Sequence, residues 1–436
     1  MKTIAKSTLA NTLLILILLA NFWLQLQVLS ELSNASPYFT AIPPDTDQAF
    51  YAEWARNLLN GTWPGNRAFF NSPYYPYYLA LIYTIGEDNY TPRIIQMLMG
   101  VLTCALVYQI GTTIAGRRTG LIAAVLISLY GPIAFYNQEY TTAPHNMLLV
   151  TSAVYFALRL SKNQNPINAL ALGTAVGFGT LGQPQIAIIL PAILIWLWHK
   201  RISRVLISYA AVLFPFAIIV GLPTAHNLIA ANQLGVVTTS GPYNLYIGNN
   251  PDATGTFYVI DPAVRRSFDN SDYLIAVVDY IRQQPASWLF LTANKTASYL
   301  LRSDAELGSN VNYHYWGVAY SPTLQRLPLN LELVVIFALV SLPMVRRKPS
   351  FSLLFACILS YSLATIVIFV QARFRIVIMP LVLIVMAAAI HEMWIRFSHS
   401  KSRKWVLLLL GAVLLAYLPL AIRYRMAIDQ NVFIGG

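Results

Sequence analysis

The chain has 436 residues, of which 57% are hydrophobic and only 11% charged, with a formal net charge of +12. Soluble domains carry about 25% charged residues, so this composition excludes one and points to a polytopic membrane protein. Cys104 and Cys357 both sit inside apolar runs, which argues against a disulfide framework and against a cysteine-based metal site.

A helix crossing the hydrocarbon core needs about 20 apolar residues. By that ruler the fold class is an all-α polytopic membrane protein, with eleven spans expected near 8–29, 93–115, 119–137, 144–161, 166–182, 183–198, 205–226, 329–345, 350–371, 376–395 and 405–422. The first stretch is longer than the usual apolar core of a signal peptide. Ser33-Asn34-Ala35 has the character of a cleavage site, but a retained anchor is the reading taken. The pair within 166–198 needs a tight reversal, and Leu181 to Gln185 supplies one because Gly182 and Pro184 break the helix. The expected organisation is a first span in 1–30, an external loop over 31–92, spans two to seven over 93–226, a large external loop over 227–328, and the last four spans with an external tail over 329–436.

Loop charges orient these spans. Lys2, Lys6, Arg117, Arg118, Arg159, Lys162, Lys200, Arg201, Arg204, Arg346, Arg347, Lys348, Arg396, Lys401, Arg403 and Lys404 fall on one side, with Glu392 as the one acid there. Positive residues mark the cytoplasmic side, so the N-terminus is expected in the cytoplasm and the acidic loops outside. The net charge is a topology signal, and nucleic acid is not called for.

In the first external loop, Asp45 and Asp47 stand two residues apart. From Asp47 on, Phe50, Trp54 and Leu58 recur at helical spacing, so Asp47 is expected to cap an amphipathic helix. Ser72 to Gly86 is too short and tyrosine-rich to span, and is expected to lie in the interface with its rings at headgroup level. In the second external loop, Thr238 to Phe257 is full of turn formers. Residues 271–302 have a helical pattern apolar enough to touch the bilayer.

The ionisable groups expected at the external boundary are Asp45, Asp47, Glu139, Arg93, Arg373 and Arg375, with His145 and His314 nearby. Arg373 and Arg375 lie on the side where topology disfavours positive charge, so an anionic partner is the natural explanation. Guanidinium binds phosphate bidentately, and a phosphate at membrane level suggests a lipid phosphate; ordinary snorkelling to headgroups is the competing account. The cofactor question stays open, a divalent metal included. No HxxH or HExxH spacing is present, and Asp45-Thr46-Asp47 is only formally an Asp-x-Asp.

These segments resemble the GT-C glycosyltransferases, specifically the family 39/83 type that includes the protein O-mannosyltransferases and the lipid A aminoarabinose transferases. Five stretches carry the likeness: DQAFYAEWARNLLNGTW from Asp47, SPYYPYYLALIYTIGEDNYTPRIIQMLMG with Arg93, GPIAFYNQEYTTAPHNMLL with Glu139, SGPYNLYIGNNPDATGTF, and ARFRIVIMPLVLIVMAAA with Arg373 and Arg375. Two departures stand out. Many relatives have an Asp-Glu pair where this chain has Asp47-Gln48, and some have a lysine where Ser72 precedes Pro73.

The resemblance implies transfer of a sugar from a polyprenyl-phosphate donor, on the external face and with inversion; the charge bias and short loops suit a bacterial inner membrane. The acceptor would be a glycolipid, a polysaccharide or a protein; membrane lipids are the remaining partners. An inverting displacement needs a base for the acceptor proton and positive charge on the leaving lipid phosphate. Asp47, in the family's aspartate position, is expected as the base, with Asp45 second, and Arg93, Arg373 and Arg375 on the leaving phosphate. Glu139 is a candidate for binding substrate, with a helix-end carboxylate as the competing account. Tyr243 and Asn249, with Asn250, are candidates for lining the sugar or acceptor pocket, with a structural turn as the preferred account. The alternative is a transporter or flippase of a lipid-linked sugar, which should show polar or broken helices at mid-membrane. The apolar span centres and the acids gathered at one boundary favour surface chemistry. An O-antigen ligase or polymerase, and a non-catalytic lipid receptor, are further alternatives.

Overall fold

The computed structural model describes residues 2–62, 67–201, 205–304, 306–307, 311–345, 351–397, 407–408, 410–411 and 413–419. Among the basic residues used for orientation, Arg204, Arg346, Arg347, Lys348, Lys401, Arg403 and Lys404 lie outside these, as does much of the expected span 405–422.

The described residues form helices and no strand; pairing is confined to the isolated bridges Tyr130–Leu329 and Thr256–Val370. Helix α1 (Lys2–Ala35) is followed by two short helices, α2 (Asp47–Leu59) and α3 (Tyr74–Tyr83), and by α4 (Thr91–Ala115). The expected span 119–137 is two helices, α5 (Arg117–Leu129) and α6 (Gly131–Tyr136). They part at Tyr130, whose backbone is extended and bridges Leu329, and Pro132 at the start of α6 lacks the N–H that would continue α5.

Helix α7 (Ala143–Asn163) then leads to α8 (Pro166–Gly182). The reversal falls at Gln183, which is extended; a 3-10 turn from Pro184 precedes α9 (Ile189–His199), and α10 (Val205–Ala231) closes this half. The turn-rich stretch holds a short helix, α11 (Gly241–Ile247), begun by Pro242. It is followed by α12 (Pro262–Ser267), α13 (Asn270–Gln283) and α14 (Pro285–Leu301). The expected helical run 271–302 is thus two helices, divided where Pro285 starts the second. The last helices are α15 (Pro322–Arg326), α16 (Leu331–Val345), α17 (Ser352–Ile368), α18 (Ala372–Arg375) and α19 (Met379–Phe397), with helix again at 407–408, 410–411 and 413–419.

Four helical stretches, Thr8–Ala35, Thr91–Ala115, Val205–Ala231 and Ala372–Phe397, are long and apolar enough to cross a membrane by length and composition. They pack with the shorter helices into one bundle, in which α8 lies against α7 and α10, α4 against α5 and α7, and α19 against α5 and α16. At the α8–α10 crossing a Cβ on Gly173 would lie 1.9 Å from the Val212 carbonyl oxygen. Only glycine permits that approach, the small-residue packing on which helices rely where lipid replaces water. On the outside of α10, Leu206, Ile207, Phe214 and Leu222 are exposed. Such a surface is costly in water and free of cost in hydrocarbon.

Candidate active site

The site is built from the first turn of α2 and from α18, which leads into α19. Thr46 caps α2: its hydroxyl accepts from the Ala49 N–H at 3.3 Å and donates to the Pro43 carbonyl at 2.7 Å. Asp47 is therefore the first helical residue and not the cap, which leaves its carboxylate free to reach out. The buried face of α2 is Gln48, Ala52, Trp54 and Ala55, while Phe50 is exposed, so the helix is rotated from the Phe50–Trp54–Leu58 stripe. Tyr75 of α3 likewise points inward, fully buried, its hydroxyl donating to Gln96 Oε1 at 2.6 Å. Tyr77 and Leu81 hold the exposed face.

The Asp47 carboxylate is ion-paired with the Arg373 guanidinium. Arg373 Nε also donates to Gln371 Oε1 at 2.8 Å. Both partners are partly exposed, with side-chain accessibilities of 30% for Asp47 and 21% for Arg373, because they line a cavity of about 690 Å³. Asp45, Tyr51, Gln183, Tyr243 and Arg265 line it too. Burial, and then the Asp47 charge, push the Tyr51 hydroxyl well above the usual phenol range, so it stays a neutral donor. Tyr243 packs against Phe70 at 5.6 Å and Tyr273 at 5.5 Å, with the Arg265 guanidinium 5.9 Å from its ring centroid.

The other candidates lie away from the cavity. Arg93 is buried: it donates to the carbonyls of Gln138 at 2.7 Å and Asn89 at 2.5 Å, and it stacks over Phe39 at 4.0 Å and Tyr140 at 4.4 Å. Arg375 is equally buried, ion-paired with Asp304 at 2.7 Å and bonded to the carbonyls of Tyr299 and Arg302. Both guanidiniums hold the protein together. Glu139 accepts from the Gln48 amide, and burial lifts its carboxyl to about 7 against the opposing pull of Arg93 and of that amide. His145 is buried amid the rings of Tyr74, Tyr75 and Tyr78, at 5.5, 5.5 and 4.3 Å between centroids. His314 is the second residue of a π-helical turn, Tyr313–Val318.

Asn249 belongs to a knot around Lys295, a buried lysine of α14. The Lys295 ammonium donates to Gly248 O and Asn249 Oδ1 at 3.0 Å, to Val367 O at 3.2 Å and to Ile368 O at 3.3 Å. Asn249 Nδ2 donates to Leu245 O and Val367 O, while Trp288 Nε1 donates to Asn249 Oδ1. A Cβ on Gly248 would sit 1.6 Å from Ile368 O, so glycine is required where the segments meet. Asn250 donates to Tyr246 O and to the Tyr258 hydroxyl. Both asparagines thus bind protein, and Asn249 joins the α11 wall of the cavity to the α17 end that leads into Arg373.

Arg265 and Lys295 were not among the expected residues. Arg265 carries the signal that marks Arg373, a cation in a segment expected on the side where topology disfavours positive charge, but no span lies beside it to fix its depth. Among the described residues no group of three or more His, Cys, Asp or Glu side chains comes together to hold a metal. Asp45 and Asp47 are joined by no third such ligand.

The family described as dolichyl-phosphate-mannose-protein mannosyltransferase matches residues 71–224. No curated protein matches the chain in sequence. Among solved structures, the Archaeoglobus fulgidus oligosaccharyltransferase AglB, in complex with an inhibitory peptide and a dolichol-phosphate, superposes with a TM-score of 0.51 at 13% identity; the match covers 95% of this chain and 56% of that one. ArnT from Cupriavidus metallidurans, bound to undecaprenyl phosphate, gives a TM-score of 0.51 at 12% identity, covering 97% and 73%. The chain spans little more than half the length of the oligosaccharyltransferase, 55% of its apo form. It has the GT-C fold of these enzymes and is a multi-pass membrane protein.

Proposed function

We propose that this chain is an inverting glycosyltransferase that moves a hexosyl or pentosyl group from a polyprenyl-phosphate donor to a glycolipid, polysaccharide or protein acceptor. The observation that carries the reading is the Asp47–Arg373 ion pair on the wall of the 690 Å³ cavity. Transfer with inversion needs a base for the acceptor proton and a fixed cation for the departing phosphate. Here the two groups are one contact. An entering lipid phosphate competes with Asp47 for the Arg373 guanidinium, so donor binding frees the carboxylate to act as base. Arg265 offers a second cation from α12, while Tyr51 and Tyr243 line the same cavity for the sugar or acceptor. Asp45 stands beside Asp47 on that wall as the second acid. The lipid-bound states of AglB and ArnT lend support, since both carry a polyprenyl phosphate on this fold. The cellular setting that fits is a bacterial inner membrane, with the N-terminus cytoplasmic and the cavity facing the periplasm.

The test is a transfer assay on purified protein in nanodiscs, with radiolabelled polyprenyl-phosphate sugars and a membrane-lipid extract as the acceptor source. Label should move to a new acceptor. Label that crosses the bilayer still attached to its own lipid phosphate would replace this reading with a flippase.

A further inference from the structure

Gln48 and Glu139 are buried polar residues that face each other outside the cavity, beside the catalytic machinery proposed above. Gln48 Nε2 donates to Glu139 Oε2, and both side chains are buried, Gln48 at 1% and Glu139 at 7% exposure. The backbone that carries Glu139 is itself fixed from α4: Gln96 Nε2 donates to Asn137 O at 3.1 Å and to Glu139 O at 2.9 Å, and Arg93 Nε to Gln138 O at 2.7 Å. Gln48 is the neighbour of Asp47 in the first turn of α2. That turn is therefore held at two points, through Gln48 to the anchored loop and through Asp47 to Arg373.

From this juxtaposition we infer that Glu139 is a positioning residue, binding no substrate itself but fixing, through Gln48, where the Asp47 carboxylate points. This rests on the transfer reading for Asp47 and goes beyond it. Gln48 explains its own departure from the Asp-Glu pair of the resembled family, because a glutamate there would set a second buried carboxylate against Glu139. The remaining polar atom fits as well. Gln48 Oε1 is buried with no hydrogen-bond partner, and a protonated carboxyl could both accept from the amide and donate to its oxygen. The ionisable groups around Glu139 are Arg93 from α4 and Tyr136 at the end of α6; burial lifts its carboxyl to about 7.

The experiment exchanges the two groups. Gln48→Glu, Glu139→Gln and the double variant are compared with wild type for kcat, donor KM and thermal midpoint. Glu139→Gln should lower kcat about 10-fold with donor KM unchanged, and Gln48→Glu about 100-fold. The double variant restores one amide and one carboxyl to the contact and should return to within about threefold of wild type. A double variant as slow as the two losses combined overturns the inference. So does a fall in midpoint with kcat per folded molecule unchanged, the mark of a merely structural contact. Should Gln48→Glu fail to fold, Gln48→Asn, which keeps the amide but shortens its reach, must still lower kcat; an unchanged kcat overturns the inference. A wild type without turnover contradicts the transfer reading instead, and additive midpoints across the four proteins would then remove the contact as well.

Discussion

The Asp47 carboxylate and the Arg373 guanidinium stand out in the sequence for separate reasons: one is an acid just beyond the first span, the other a cation on the side where topology disfavours positive charge. What the sequence could not supply is the direction in which a guanidinium points. Arg373 and Arg375 are two apart on one short helix, hence about 200° apart around its axis. One reaches the cavity while the other turns inward to Asp304. Arg93 has the same ambiguity, resolved toward the carbonyls of Gln138 and Asn89. At this scale the buried Glu139 gives a pH prediction. Its carboxyl is raised from 4.5 to about 7 by burial, so the folded state holds a proton that the unfolded state has lost between those values. The stability this contributes is fully present below about 4.5 and is lost as pH rises through about 7. Thermal midpoints of wild type, measured against Glu139→Gln in detergent, should fall by a few degrees between pH 5 and pH 7.5. Parallel midpoints over that range would contradict a buried, raised Glu139.

At the scale of elements, hydrophobic length located the long helices well and hid the breaks in the shorter ones. The interruption at Tyr130 depends on a bridge to Leu329, far away in sequence, and the rotation of α2 depends on what Gln48 and Trp54 find to pack against. The asparagines after α11 read either as a structural turn or as part of a sugar pocket, because amides serve sugars and backbones alike. Lys295, 46 residues away from Asn249, decides for the backbone. Replacing that lysine by methionine keeps much of the volume but leaves the oxygens of Gly248, Asn249, Val367 and Ile368 without their shared donor. Lys295→Met is expected to lower the thermal midpoint by several degrees. It should also raise the donor KM, since the knot ties the Tyr243 wall to the segment leading into Arg373. A midpoint and KM equal to wild type would show that the knot is not needed.

For the molecule as a whole, the charge bias gives a sidedness that labelling can test. Cys104 and Cys357 are buried and should stay silent toward a membrane-impermeant maleimide. Asp261 and Lys162 are exposed, and the charge bias predicts that they lie on opposite sides. Asp261→Cys is expected to label in intact cells and Lys162→Cys only after permeabilisation; the reverse pattern would invert the topology and place the cavity in the cytoplasm. The claim at the centre of the account is that Asp47 acts on the acceptor proton while Arg373 holds the donor phosphate. The most direct measurement pairs undecaprenyl-phosphate affinity with sugar-transfer rate, for wild type and Asp47→Asn in nanodiscs. Removing the carboxylate frees Arg373, so affinity should be unchanged or tighter, while transfer falls by at least about 100-fold. Transfer at the wild-type rate, or affinity and transfer lost together, would contradict it.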